Sequence, residues 1–333
     1  MKKFLLIILA LLFVLGLAGC GQEKAATKKA VGAEKKLKIV TTIFPEYDWV
    51  KNIMGDQFSQ AEVTLLLNNG TDIHNYQPTI QDMMKVSNCD LFVYVGGESD
   101  HWVDKALQEA KNKNMRVVNL LQVLGTKVKD EEVIEGGEKK ELAILAAKHR
   151  QEEEPDKDEH VWLSLKNAQL ICSALAKALS EVDAAHAAVY AANLKKYEDK
   201  LTALDLKYEK TIGQSKKQVL VFGDRFPFRY LVDDYRLKYY AAFAGCSAET
   251  EASFKTIRFL AGKLDTLGLN SIFTLERSDQ KVAKTIRQTT QNKNQKLLTL
   301  DSMQATTAKD IADGTTYLGI MDNNLAVLQE GLN

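Results

Sequence analysis

Residues 163–212 contain neither proline nor glycine. A stretch of that length without a breaker, closed only by Gly213, is not an ordinary connection between elements. Its second half, "AAHAAVYAANLKKYEDKLTALDLKYEKTI", consists mostly of strong helix formers. Tyr190, Leu194, Tyr197, Leu201 and Leu204 recur there at three- and four-residue spacing. The pattern predicts one long helix, assigned to residues 186–213, to which the segments on either side are joined.

Those segments repeat one design. Before the helix, "LKIVTTI" (37–43), "AEVTLLL" (61–67), "LFVYVGG" (91–97) and "MRVVNL" (115–120) are short, apolar and rich in β-formers. "YDWVKNIMGD", "TIQDMMKVSN" and "HWVDKALQEAKNK" lie between them with apolar residues at helical spacing. After the helix the alternation restarts with "QVLVFG" (218–223), "LKYYAAF" (237–243), "SIFTLE" (271–276) and "KLLTL" (296–300). Alternation of this kind predicts parallel strands covered by helices. The expected fold class is therefore α/β, with two parallel-sheet lobes at 37–185 and 214–333. "TTYLGIMDNNLAVLQEGLN" is expected to close the second lobe as an amphipathic helix.

The first 36 residues read differently. Two lysines, an apolar run and small residues ending at Cys20 form an export signal over residues 1–20. Leu-Ala-Gly-Cys resembles a bacterial lipobox, which implies cleavage before Cys20 and lipid on that residue, holding the chain at a membrane surface. The lysine-rich segment 21–36 lacks aromatics and any hydrophobic period, as a solvated tether does. Residues 130–159 carry twelve acidic and five basic side chains and are expected to form a charged surface loop. Lys plus Arg equals Asp plus Glu at 44 each, so no overall field points to nucleic acid. Of the cysteines beyond Cys20, Cys172 lies in an apolar helical stretch that suits a buried thiol. Cys89 and Cys246 have no spacing that assigns them a role.

Only five histidines occur: His74, His101, His149, His160 and His186. His74 and His160 each follow an acidic residue closely and sit at the border of a regular element. Open α/β sheets collect ligands at the carboxyl ends of their strands. Two imidazoles converging there would make half of a metal site. His101 is read as rim, His186 as a helix residue and His149 as a neighbour of the acidic loop.

"GTDIHNYQPT", "DEHVWLSL" and "YLGIMDNNLAVL", in that order, resemble the zinc/manganese solute-binding lipoproteins of metal ABC transporters. The resemblance implies two lobes with a metal site in the cleft and His74 and His160 as ligands. It further implies a ligand after the first strand of the second lobe, in "VFGDRFPFRYLVDDYRL", and an aspartate at the end of a late strand, in "KLLTLDSMQ". The latter is Asp301. The former falls on Arg225, whose guanidinium has no lone pair to offer a metal. Asp224 is then the substitute carboxylate, with Arg225 a neighbour that orients an acid. The resemblance also implies that the loop carrying Glu249 and Glu251 borders the same cleft, which makes both outside candidates.

What the resemblance implies is a monomeric, extracytoplasmic protein, lipid-anchored to the bacterial cell membrane, that captures Zn2+ for an ABC permease and its ATPase. Mn2+ or Fe2+ is the alternative cargo. Alternatives of another class are a membrane-anchored zinc hydrolase or an adhesin. No His-Glu-x-x-His helix occurs, so the chain is read as a binding protein and not an enzyme. At unperturbed imidazoles, metal binding would weaken below about pH 6.

Overall fold

The computed structural model describes residues 36–131, 156–247 and 251–333. Cys20, His149 and Glu249 lie outside the described residues, as does most of the acidic segment. All eight expected strands form. In the first lobe β1 (Lys38–Thr41), β2 (Glu62–Leu65), β3 (Leu91–Tyr94) and β4 (Arg116–Asn119) make one parallel sheet in the order β2-β1-β3-β4. In the second, β5 (Val219–Phe226), β6 (Lys238–Ala244), β7 (Ser271–Leu275) and β8 (Lys296–Leu300) repeat it as β6-β5-β7-β8. β3 and β7 are buried along their whole length, as strands covered on both faces are.

The helices of the first lobe are α1 (Phe44–Met54), α2 (Ile80–Asn88), α3 (Trp102–Gln108), α4 (Leu120–Leu124) and α5 (Leu165–Val182). Then come α6 (Ala187–Gly213), α7 (Arg229–Asp234), α8 (Phe254–Leu267), α9 (Lys281–Thr289), α10 (Ala308–Ala312) and α11 (Tyr317–Gly331). The run without proline or glycine is thus two helices packed on each other, α5 and α6. Asp183 breaks it: its backbone leaves the helical region at φ −141°, ψ 70°. Its carboxylate accepts from His186 Nδ1 at 2.8 Å and from the Tyr190 hydroxyl. A side chain that competes with the backbone for local hydrogen bonds ends a helix as well as a glycine does. His186 accordingly belongs to the turn before α6.

β5 also runs further than its apolar sequence suggests. A bulge between Phe222 and Arg225 carries the strand on to Phe226, so Asp224 and Arg225 sit in the strand's end and not in a loop. Gly223 permits the bulge to lie against α9, since a Cβ there would come within 2.5 Å of the Ala283 backbone.

One core runs through both lobes. Ile39 and Phe92 from the first sheet, Phe222 and Phe273 from the second, and Tyr197 and Leu201 of α6 belong to a single buried cluster. A smaller cluster around Val221, Leu260, Ile272 and Ile286 lies under α8 and α9. At the seam, Trp162 donates its indole N–H to the Ser302 carbonyl at 2.9 Å. Tyr317, the first residue of α11, donates its hydroxyl to the Trp162 carbonyl at 2.7 Å. The Tyr317 amide donates to Asp48 Oδ2 at 3.1 Å, and its ring meets Trp49 edge-on with centroids 5.1 Å apart.

Removing only the hydroxyl should be mild and removing the ring should not. Tyr317→Phe is expected to cost about 1 kcal/mol and Tyr317→Ala about 3–5 kcal/mol, read from urea unfolding midpoints. Because the core is common, both lobes should unfold in one transition in each variant.

Candidate metal centre

Three connections at the carboxyl ends of the strands build the site. The loop after β2 ends in a short 3-10 turn, Ile73–Asn75, opened by Asp72, whose Oδ1 accepts the His74 amide at 3.0 Å. A second turn, Val161–Leu163, follows His160 and leads into α5, which Ser164 caps through the Asn167 amide. Here the end of the acidic segment departs from the expected surface loop. Asp158 and Glu159 are 3% and 1% exposed, because each has an imidazole to hold. The third connection follows β6 and carries Cys246.

The two expected histidines meet. His74 Nε2 and His160 Nε2 are 3.1 Å apart. The other nitrogen of each ring is already engaged: His160 Nδ1 lies 3.0 Å from Asp158 Oδ1, and His74 Nδ1 lies 2.9 Å from Ser99 Oγ and 3.5 Å from Glu159 Oε2. A carboxylate facing Nδ1 keeps the proton on that nitrogen and leaves the lone pair on Nε2. The Gln304 amide nitrogen, 3.2 Å from His160 Nε2, is a donor to that same lone pair. Two lone pairs aimed at one point between a buried and a half-buried ring make a place that suits a cation.

Burial lowers His74 to about 3, helped by the neighbouring His160 and by Arg225, against Asp72 and Asp158, which pull the other way. The neutral, ligating form is therefore favoured, and at this ring the acid limit moves below the ordinary histidine range. Burial alone would raise Asp72, but Arg225 and His74 hold its carboxyl below the usual value.

Cys246 completes a triplet. Its sulfur and one nitrogen of each of His74 and His160 all lie within 4.8 Å of one another. Cys246, Cys89 and Cys172 are free thiols, the last two buried in the core. Asp224 and Asp301 are outside the triplet. Asp224 Oδ1 accepts the Arg225 amide at 2.9 Å and its Oδ2 the Leu275 amide at 3.3 Å. Asp301 Oδ1 accepts the Met303 amide at 2.7 Å. Arg225 reaches back across the cleft to Asp72, Nη2 to Oδ2 2.6 Å. Asp72, Asp224, Arg225, Glu276 and Gln304 line a cavity of about 240 Å³ beside the histidines. Glu251 is exposed, and His101 is an exposed partner of Glu98 at 2.7 Å.

Sequence reasoning passed over Ser99, Asp158, Glu159, Glu276 and Gln304, and left Cys246 without a role. Position was the available signal for Cys246, which stands two residues beyond a strand's carboxyl end. Glu276 directly follows β7 and accepts the Ser302 amide and hydroxyl, both at 2.7 Å. Burial, then Asp301, raises it to about 7.

Glu46 of α1 is a fully buried carboxyl of the first lobe. Its Oε2 accepts from the Thr42 amide, the Thr42 hydroxyl and the Ile43 amide. Burial nevertheless pushes its carboxyl up to about 8, with the charge of Asp100 adding to the effect.

A family model described as ZnuA, zinc-uptake complex component A, periplasmic, matches residues 39–331. The zinc-binding lipoprotein AdcA of Streptococcus pneumoniae is 30% identical over 333 residues, covering 99% of this chain and 61% of that protein. The chain thus spans less than two thirds of this relative's length. The metal ABC transporter substrate-binding lipoprotein ScbA of Streptococcus cristatus is 29% identical over the whole of both chains. Among solved structures, the metal-dependent lipoprotein YcdH of Bacillus subtilis superposes with TM-score 0.71 at 26% identity, over 90% of this chain and 100% of that one. The Zn(II)-bound ZnuA-like domain of S. pneumoniae AdcA gives 0.68 at 26% identity, over 89% and 99%.

Glu46 makes the stability of the first lobe depend on pH. A carboxyl raised from 4.5 to about 8 stabilises the fold fully below the lower value, and the contribution is lost as pH rises through the upper one. The urea midpoint should fall between about pH 4.5 and about pH 8, and Glu46→Gln should flatten that fall.

Proposed function

The chain belongs to the family of zinc-uptake complex component A, periplasmic, and we propose that it captures Zn2+ outside the cytoplasm for an ABC-type importer. The observation that carries this reading is the pair of Nε2 atoms 3.1 Å apart, with both Nδ1 atoms tied behind them. The metal is cargo, and His74 and His160 are its imidazole ligands. Asp158 and Glu159 orient the rings and supply negative charge behind them. Asp224 and Asp301 are the carboxylates through which the second lobe would complete the shell, each by releasing a backbone amide. Neutral nitrogen donors favour zinc over Mn2+ or Fe2+ in the general affinity order.

Capture exchanges protons for metal, since each donor must be free of its proton at the bonding atom. The common core favours local movement of the ligand-bearing loops over wide opening of the lobes. Lipid on Cys20 would keep the loaded protein beside its permease, and the permease's ATPase would drive transfer.

The deciding measurement is a chelator-competition titration of zinc and manganese into metal-stripped protein, beside the His74→Ala, His160→Ala double variant. Tight zinc binding is expected, weakened more than about a hundredfold in the double variant, because even partners behind a ligand are worth about 10–100-fold. Asp158→Asn should fall inside that smaller range. Zinc binding left intact by the double variant would overturn the reading.

A further inference from the structure

We propose that the Cys246 sulfur is the third protein ligand of the metal, and that it biases the site toward zinc and away from manganese. The inference rests on the zinc-capture reading above and adds to it a donor from the loop after β6.

Geometry comes first. Zinc bonds of about 2.0–2.3 Å to nitrogen and sulfur place neighbouring tetrahedral donors roughly 3–4 Å apart. The Cys246 sulfur and both imidazoles already lie within 4.8 Å of one another, so small side-chain rotations suffice. The backbone is built to bring the sulfur there. At Gly245 a Cβ would stand 3.0 Å from His160 Cε1 and 2.9 Å from the Phe226 carbonyl. Only glycine lets the loop pass this close to the ring and deliver the next residue to it.

Two further observations agree. The strand end that faces the site from β5 offers Arg225, which is engaged by Asp72 and has no donor lone pair. Asp224 and Asp301 would each first have to release a backbone amide, so Cys246 is the second-lobe donor already at hand. Finally, His160 is fully buried and its Nε2 already points at the place a shared ion would take. As the metal–sulfur bond forms, the thiol proton passes to solvent, and no oxidant or reductant is involved. Thiolate is a soft donor that suits zinc, whereas manganese is served better by oxygen.

Cobalt(II) reports the bond directly. Metal-free protein loaded with Co2+ should show a near-ultraviolet sulfur-to-cobalt charge-transfer band, absent from Cys246→Ser. Zinc affinity of Cys246→Ser should fall at least about tenfold, with manganese affinity changed less, so that the preference narrows. Cys246→Asp should move it further toward manganese. The band is read on the unaltered protein, so a variant that fails to fold does not spoil the test. No band in the unaltered protein, with zinc affinity equal in Cys246→Ser yet lost in the double histidine variant, would remove Cys246 and leave zinc capture standing. Zinc binding indifferent to all these substitutions would remove both.

Discussion

The two lobes are joined by a packed seam, and the site depends on it. Trp162 is bonded to the Ser302 carbonyl of the second lobe, and its own carbonyl is held by Tyr317. His160 lies two residues before Trp162, with ring centroids 5.3 Å apart. The imidazole is therefore mounted on the joint itself and not on a loop free to wander. Burying both rings of the seam completely ties the position of His160 to the stability of the whole core.

Around that fixed ring the charges are arranged in depth. Asp158 and Glu159 engage the far nitrogens of the two imidazoles, and Asp72 bridges Gln304 and Arg225. A carboxylate as neighbour orients an imidazole and raises its power as a donor. Deeper, Asp100 accepts the Gly96 amide and burial brings it to about 7. Carboxyls in this layer hold negative charge beside Glu159, while their partial protonation limits mutual repulsion.

Most of the fold was legible because its signals are local. Each strand is a short β-branched or aromatic run and each helix repeats its apolar face, so eight strands came out in place. Asp183 was not legible as a break, since its effect comes from bonds to His186 and Tyr190 that form only in the folded turn. The β5 bulge was hidden likewise, because it depends on how closely Gly223 approaches Ala283. In the site, His74 and His160 stood out through their surrounding words. Asp158 and Glu159 were submerged in a charged run whose composition suggests solvent, and only their pairing with imidazoles takes them inside. Cys246 belongs to a convergence of three connections more than eighty residues apart, which no spacing along the chain announces.

The placement of Tyr317 also orders events in time. Its ring fills the first lobe against Trp49, and its amide is received by Asp48, 269 residues earlier in the chain. A nascent chain that has made all of β1–β4 still exposes that apolar socket and leaves Asp48 without the Tyr317 amide. The lobe synthesised first is thus the one finished last, and only a full-length polypeptide can close it. Chains truncated before α11 should accordingly be recognised by chaperones and proteases as unfinished even though both sheets are present.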